Sequence, residues 1–214
     1  MCSRFENKET GFSIIEKLYK DFKGNFILED DNDLIKENIA PNNMVMSIIS
    51  EKDNYRIKNY FWGIQFDKVK KSPLIFNSRI ETIKEKKYWT QLFYKNRCLL
   101  PATAFYEWKE INKTKIPYRI FLPDVDFFFI PSIYLKMEDY YYVSMITTQP
   151  NSFMKNIHNR MPVIFQKKEG MEFLKQEPKN ALDMCNPQSE KVKINIEIEY
   201  KLLSNKKKEI VFRQ

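Results

Sequence analysis

Arg97-Cys98-Leu99-Leu100-Pro101-Ala102-Thr103-Ala104-Phe105-Tyr106-Glu107-Trp108 is the stretch from which the fold class is read. An apolar run, Cys98-Leu99-Leu100, enters Pro101, and Ala104 to Trp108 then reads as an aromatic-rich strand. Downstream, residues 117–122, 127–134 and 140–148 are three further strand candidates, the last ending in Met145-Ile146-Thr147-Thr148. Upstream, Met44-Val45-Met46-Ser47-Ile48-Ile49 and the segment Tyr55 to Phe66 read the same way. Val192, Ile194, Ile196, Ile198 and Tyr200 alternate with polar residues, the pattern of a half-buried strand.

Helical signals are fewer. Ser13 followed by Glu16 reads as a capping box opening a helix with Ile14, Ile15, Leu18 and Phe22 on one face. Residues 29–37 are a polar connection. Residues 80–95 read as helix, with Tyr88, Trp89, Leu92 and Phe93 as the apolar stripe. Pro150 begins a short helical turn that must stop by Pro162, and residues 168–176 suggest another helix. Lys206-Lys207-Lys208 reads as a solvated turn. With no internal repeat and no Pro/Ser-rich linker, the expectation is one α+β domain over residues 1–214. Its frame is a curled, barrel-like, mainly antiparallel sheet with a few peripheral helices.

Composition narrows the function. In 214 residues, 43% hydrophobic and 15% aromatic content supports a substantial core. Only 4 glycines are present, and neither GxGxxG nor GxxxxGK[ST] occurs, which argues against a phosphate-cradling loop. The net charge of +8 suits a polyanionic partner such as nucleic acid. Three cysteines (Cys2, Cys98, Cys185) without CxxC spacing, and one histidine, indicate neither a disulfide framework nor a zinc site. The polar start MCSRFENKE lacks an apolar signal region, and no apolar run approaches the roughly 20 residues that span a bilayer. A cytoplasmic protein, away from membranes, is expected.

Cys2 carries unusual chemistry. It becomes the first residue once Met1 is removed, a common event before a small side chain. A terminal cysteine has an α-amine and a thiol on adjacent carbons. The amine's pKa is near 8, so roughly a tenth is neutral at pH 7. It can condense with an aldehyde, and the thiol can close onto the imine carbon as a thiazolidine. Position alone also fits the second residue of a frayed terminus.

Further stretches join those already quoted: Ile39-Ala40-Pro41, Asn77-Ser78-Arg79-Ile80-Glu81-Thr82, and Thr147-Thr148-Gln149-Pro150-Asn151 leading to His158-Asn159-Arg160-Met161-Pro162-Val163-Ile164. Together with Met1-Cys2-Ser3-Arg4 and residues 97–108, in this order, they resemble the SRAP (SOS response-associated peptidase) family. Members of that family crosslink to abasic sites in single-stranded DNA. The resemblance is strongest over residues 1–175, and residues 176–214 diverge. It implies Cys2 as the nucleophile toward the ring-opened sugar, with Glu107 and His158 as proton carriers. It further implies Asn77 orienting the reacting groups, Arg79 and Arg160 on phosphate oxygens, Arg4 beside the nucleophile doing the same, and Thr148 near the site. No cofactor or metal is called for. The expected partner is single-stranded DNA containing abasic sites, bound by a monomer, and the family name adds self-removal of Met1.

One departure is plain: Trp62-Gly63-Ile64 resembles a family stretch, but Gln65-Phe66-Asp67 follows where a proline-containing segment is usual. Trp62 and Phe66 either stack on bases or belong to the core, and the core is favoured. Two rivals remain open. One is a cysteine peptidase acting on other proteins with Cys2, His158 and Glu107. The other is a non-covalent single-strand-binding module that needs no Cys2.

Overall fold

Residues 97–102 are buried almost throughout because both faces of their strand are covered, and the rest of the molecule is arranged around that strand. The computed structural model describes residues 2–30, 34–52, 54–67, 72–187 and 192–203. In chain order the elements begin with β1 (Arg4–Asn7), α1 (Gly11–Tyr19), β2 (Asn25–Leu28), β3 (Lys36–Ile39), β4 (Met44–Glu51) and β5 (Asn54–Trp62). Next come β6 (Asn77–Arg79), α2 (Ile80–Glu85), α3 (Lys87–Lys95), β7 (Arg97–Ala102), β8 (Ala104–Ile111), β9 (Thr114–Phe121) and β10 (Phe128–Met137). The chain continues through β11 (Tyr140–Thr148), α4 (Ser152–Lys155), β12 (Met161–Pro162), α5 (Lys167–Lys175), α6 (Pro178–Met184) and β13 (Asn195–Ile198).

Five strands close on themselves. β7 pairs with β10, β10 with β11, and β4 with both β5 and β7, all antiparallel. β5 then returns to β11 in parallel, Tyr142 opposite Phe61 and Val143 opposite Trp62. Strand alternation sorts the side chains into two sets. Val45, Tyr60, Trp62, Cys98, Leu100, Ile130, Val143 and Met145 pack together and fill the barrel. Ile48, Ile57, Leu99, Ile133 and Ile146 face outward under Ile14, Leu18, Ile83, Phe93, Phe173 and Leu182 of the helices. A second antiparallel sheet, ordered β13-β9-β8-β1-β3, lies against the barrel filling. Phe5 of β1 meets Trp62 edge-on, with ring centroids 5.2 Å apart.

The mixed, mainly antiparallel α+β architecture is the one expected, and several boundaries differ for local reasons. α1 starts at Gly11, two residues before Ser13, because Thr10 is its cap and accepts from the Ser13 backbone N–H at 3.0 Å. Residues 80–95 form two helices rather than one. The extended backbone of Lys86 (φ −98°, ψ 112°) breaks them, and Tyr88 ends half exposed instead of joining the stripe. β5 stops at Trp62, and Gly63 takes φ +127°, a conformation that favours glycine. The terminal strand is limited to Asn195–Ile198 on the edge of β9, and α6 had no counterpart among the expected helices. Lys206, Lys207 and Lys208 lie outside the described residues. Trp62 is fully buried and donates its indole N–H to the Phe76 carbonyl at 2.8 Å, whereas Phe66 is 46% exposed. No described helix is long and apolar enough to cross a membrane.

Candidate active site

The short strand β1 is zipped onto β8, Arg4 opposite Tyr106 and Phe5 opposite Phe105, which brings Cys2 beside the Tyr106-Glu107 segment. Cys2 is 1% exposed, and its Sγ donates to the Arg4 carbonyl at 3.3 Å. Burial, reinforced by the nearby Glu107 charge, pushes its thiol pKa well above the ordinary range, so the sulfur is protonated in this state. The other anchor comes from β6, which pairs in parallel with β11 so that Asn77 sits level with Met145. From there Asn77 Nδ2 donates to the Cys2 carbonyl oxygen at 2.6 Å.

Glu107 projects from β8 at 2% exposure, and desolvation raises its pKa to about 7. His158 follows α4. Asn151 caps that short helix through Met154 N–H at 3.1 Å, and the chain then turns toward β12. The His158 Nδ1 accepts the backbone N–H of Arg160 at 3.1 Å, and burial lowers its pKa. Ser3, Arg4, Glu107, Trp108, Glu110, Lys115 and His158 line one open cleft of about 530 Å³. A larger hollow, about 840 Å³, between Phe22, Pro123 and the start of α5 contains none of the sequence-derived candidates.

The arginines separate into two kinds. Arg4 lines the cleft, with its Nη1 on the Ser3 carbonyl at 2.7 Å. Arg79 is exposed at the end of β6, opposite Thr147. Arg160 is only 6% exposed, and its fork grips Glu81 through two bonds of 2.8 and 2.9 Å. Its Nη2 also donates to the Thr147 carbonyl at 2.7 Å. The guanidinium expected on phosphate is thus already committed to the carboxylate of Glu81, whose side chain is 41% exposed. Thr148 is buried at the end of β11, paired with Met161.

Some contributors were not picked out from sequence. Trp108 and Glu110 reach the cleft from β8 and Lys115 from β9, and only the strand pairing reveals them. Glu81 stands inside the Asn77–Thr82 motif, two residues after an arginine, which is the signal that could have found it. Behind the site, buried Glu6 accepts from Thr103 Oγ1 at 2.8 Å, Tyr106 Oη at 2.9 Å and Arg119 Nη2 at 2.6 Å. Burial pulls the Glu6 pKa up, but the bonds from Arg119 and Thr103 outweigh it and hold the carboxyl below the usual range.

The solved structure of a protein from Bordetella bronchiseptica superposes with a TM-score of 0.75, covering 92% of this chain and 99% of that one at 17% identity. One from Bacteroides thetaiotaomicron gives 0.72, with 92% and 91% covered at 21% identity. In sequence, the chain is 34% identical over 190 residues to the abasic site processing protein YoqW of Bacillus subtilis (strain 168), covering 85% of this chain and 82% of that one. It is 26% identical over 182 residues to the abasic site processing protein YedK of Escherichia coli (strain K12), covering 83% and 81%. The family model described as SOS response associated peptidase (SRAP) matches residues 1–200, and this chain therefore belongs to the SRAP family.

Proposed function

We propose that this chain captures abasic sites in single-stranded DNA by covalent attachment through Cys2 once Met1 is removed. The free α-amine adds to the C1′ aldehyde of the ring-opened sugar, and loss of water gives an imine. The thiol then adds to the imine carbon, its proton passes to nitrogen, and a thiazolidine closes. One water leaves overall, and no oxidant or reductant is needed. The trapped lesion is shielded from strand-cleaving β-elimination.

Each step needs a proton moved at a stated place. Opening the sugar and expelling water require an acid beside an oxygen, and a carboxyl with a pKa of about 7 is matched to giving and retaking a proton near neutrality. Asn77, on the Cys2 carbonyl, holds the aminothiol in register. Neutral His158, accepting at Nδ1, carries its proton at Nε2 and serves as a donor to oxygen on the sugar. Arg4 and the exposed Arg79 take phosphates, contacts that position a strand without reading bases. Self-removal of Met1 by Cys2 belongs to the same reading.

The supporting observation is the convergence of Cys2, Asn77 and Glu107, from three distant parts of the chain, next to a cleft shared with His158. A thiol whose pKa is raised by burial is a poor source of the thiolate that a peptidase acting on other proteins uses. The test is a gel run after boiling in detergent, with abasic single-stranded oligonucleotide. Wild type should give a retained band, and Cys2→Ala should lose it while keeping affinity for the strand. A heat-stable adduct formed by Cys2→Ala without borohydride would sink the assignment.

A further inference from the structure

The surroundings of Arg160 are those of a structural clamp. Its side chain is 7% exposed, both terminal nitrogens meet Glu81, and one of them also meets the Thr147 carbonyl. Glu81 lies in the first turn of α2, where the helix dipole favours an anion, and Gln149 Nε2 adds a bond to its Oε1 at 3.3 Å. The Arg160 hydrogen bond holds the Glu81 carboxyl below the usual range, so it is ionised at working pH. A bidentate carboxylate–guanidinium pair fixes orientation as well as distance.

What the clamp fixes is the backbone of Arg160, and that backbone cradles His158. The Arg160 N–H stands 3.1 Å from His158 Nδ1, and the Arg160 carbonyl oxygen stands 3.3 Å from the same nitrogen. The first contact suits neutral imidazole, with the proton on Nε2. The second suits the imidazolium, whose Nδ1–H needs an acceptor. A single residue thus offers a partner for each protonation state.

We propose that Glu81 is a positioning residue of the site: by locking Arg160 it holds the backbone cradle that sets the tautomer and orientation of His158. Glu81 touches no reacting atom in this arrangement. It acts on His158 through Arg160, in the way that a partner on one ring nitrogen sets the chemistry of the other. The rate arm of the test rests on the abasic-site reading above, whereas the spectroscopic arm does not.

Only one histidine occurs in the chain, so its imidazole ¹⁵N resonances need no assignment. They are recorded against pH for wild type, Glu81→Gln, Glu81→Ala and Glu81→Asp, without DNA. Wild type should show the Nε2–H form when neutral. Glu81→Gln and Glu81→Ala should show mixed tautomers and a changed His158 titration, and Glu81→Asp should restore much of the wild-type pattern. Thermal unfolding of each variant separates a moved ring from a lost fold, and the isosteric Glu81→Gln keeps the test alive if Glu81→Ala does not fold. Crosslinking to abasic oligonucleotide should slow on the order of 10–100-fold, the scale of a misplaced catalytic group, with affinity for intact single strands unchanged. A His158 spectrum unaltered in both folded variants would overturn the proposal. So would tighter strand binding with a salt slope steeper by about 0.7, because that result makes Arg160 a phosphate contact that Glu81 merely restrains. A wild type that forms no crosslink would refute the abasic-site reading and leave the spectroscopic result standing.

Discussion

Glu107 has its pKa raised to about 7 because burial disfavours its anion, and the same burial makes the fold's stability depend on pH. A glutamate in the unfolded chain ionises near 4.5, so between about 4.5 and 7 the folded state holds more protons. Stability therefore falls as pH rises through that window and levels off above it. At about 1.4 kcal/mol per unit, the loss is on the order of 3 kcal/mol. Glu107→Gln should accordingly unfold at a higher temperature than wild type at pH 8 and show no such gain at pH 4, measured by thermal scans at the two pH values. The same variant should crosslink about 10²–10⁴-fold more slowly; a wild-type rate at sub-saturating protein would reduce Glu107 to a structural residue. That Cys2 lies by Asn77 and the Glu107 segment, and that His158 shares the cleft, accords with the ordered set of family-like motifs they stand in, and no one of those motifs would have told it alone. The commitment of Arg160 was not legible, since a sequence displays a charge without showing which carboxylate it meets.

At the level of elements, β1 is four residues long, yet it must hold Cys2 against Asn77. Its anchor is Glu6, gripped by Arg119 from β9, Tyr106 from β8 and Thr103 from the turn before β8. Removing one partner of a buried pair costs about 3–5 kcal/mol, so Glu6→Ala should lose roughly that much in urea unfolding and loosen Cys2 at the same time. Because the Glu6 pKa is depressed, its contribution is present above about 4.5 and disappears as pH falls through its lower folded value. The urea midpoint of Glu6→Ala should therefore approach wild type in strong acid. A different contact governs α5. A Cβ on Gly170 would land on the Phe129 ring, which is fully buried in β10. Gly170→Ala gains helix propensity of up to about 1 kcal/mol, but overpacking costs about 1–3 kcal/mol, so a lower melting temperature is expected. A rise would mean that Phe129 moves aside freely. The strands from residue 97 to 148 were readable as apolar segments between turns. The split at Lys86 and the Thr10 cap were not, because both depend on a single residue's backbone that periodicity averages over.

For the whole molecule, the curl of the sheet could be expected from many strands and few helices, whereas its closure could not. The closing seam joins β5 to β11 across some eighty residues of chain, and strand patterns carry no record of such a partner. The excess positive charge is likewise a property of the whole, and on the proposed reading it meets DNA through exposed groups such as Arg79. Arg79→Ala should weaken binding to single strands irrespective of base sequence and flatten the slope of log K against log salt by about 0.7. An unchanged slope in a filter-binding titration would remove Arg79 from the interface. The pairing of β1 with β8 also has a meaning in time. On the ribosome, the N-terminal strand waits for a partner that lies a hundred residues downstream. At about 5–20 residues per second that delay is roughly 5–20 s. Throughout it, Cys2, which the finished fold buries, has no β8 beside it, so the self-removal of Met1 proposed above has to wait for that pairing, whereas an external peptidase would act before it.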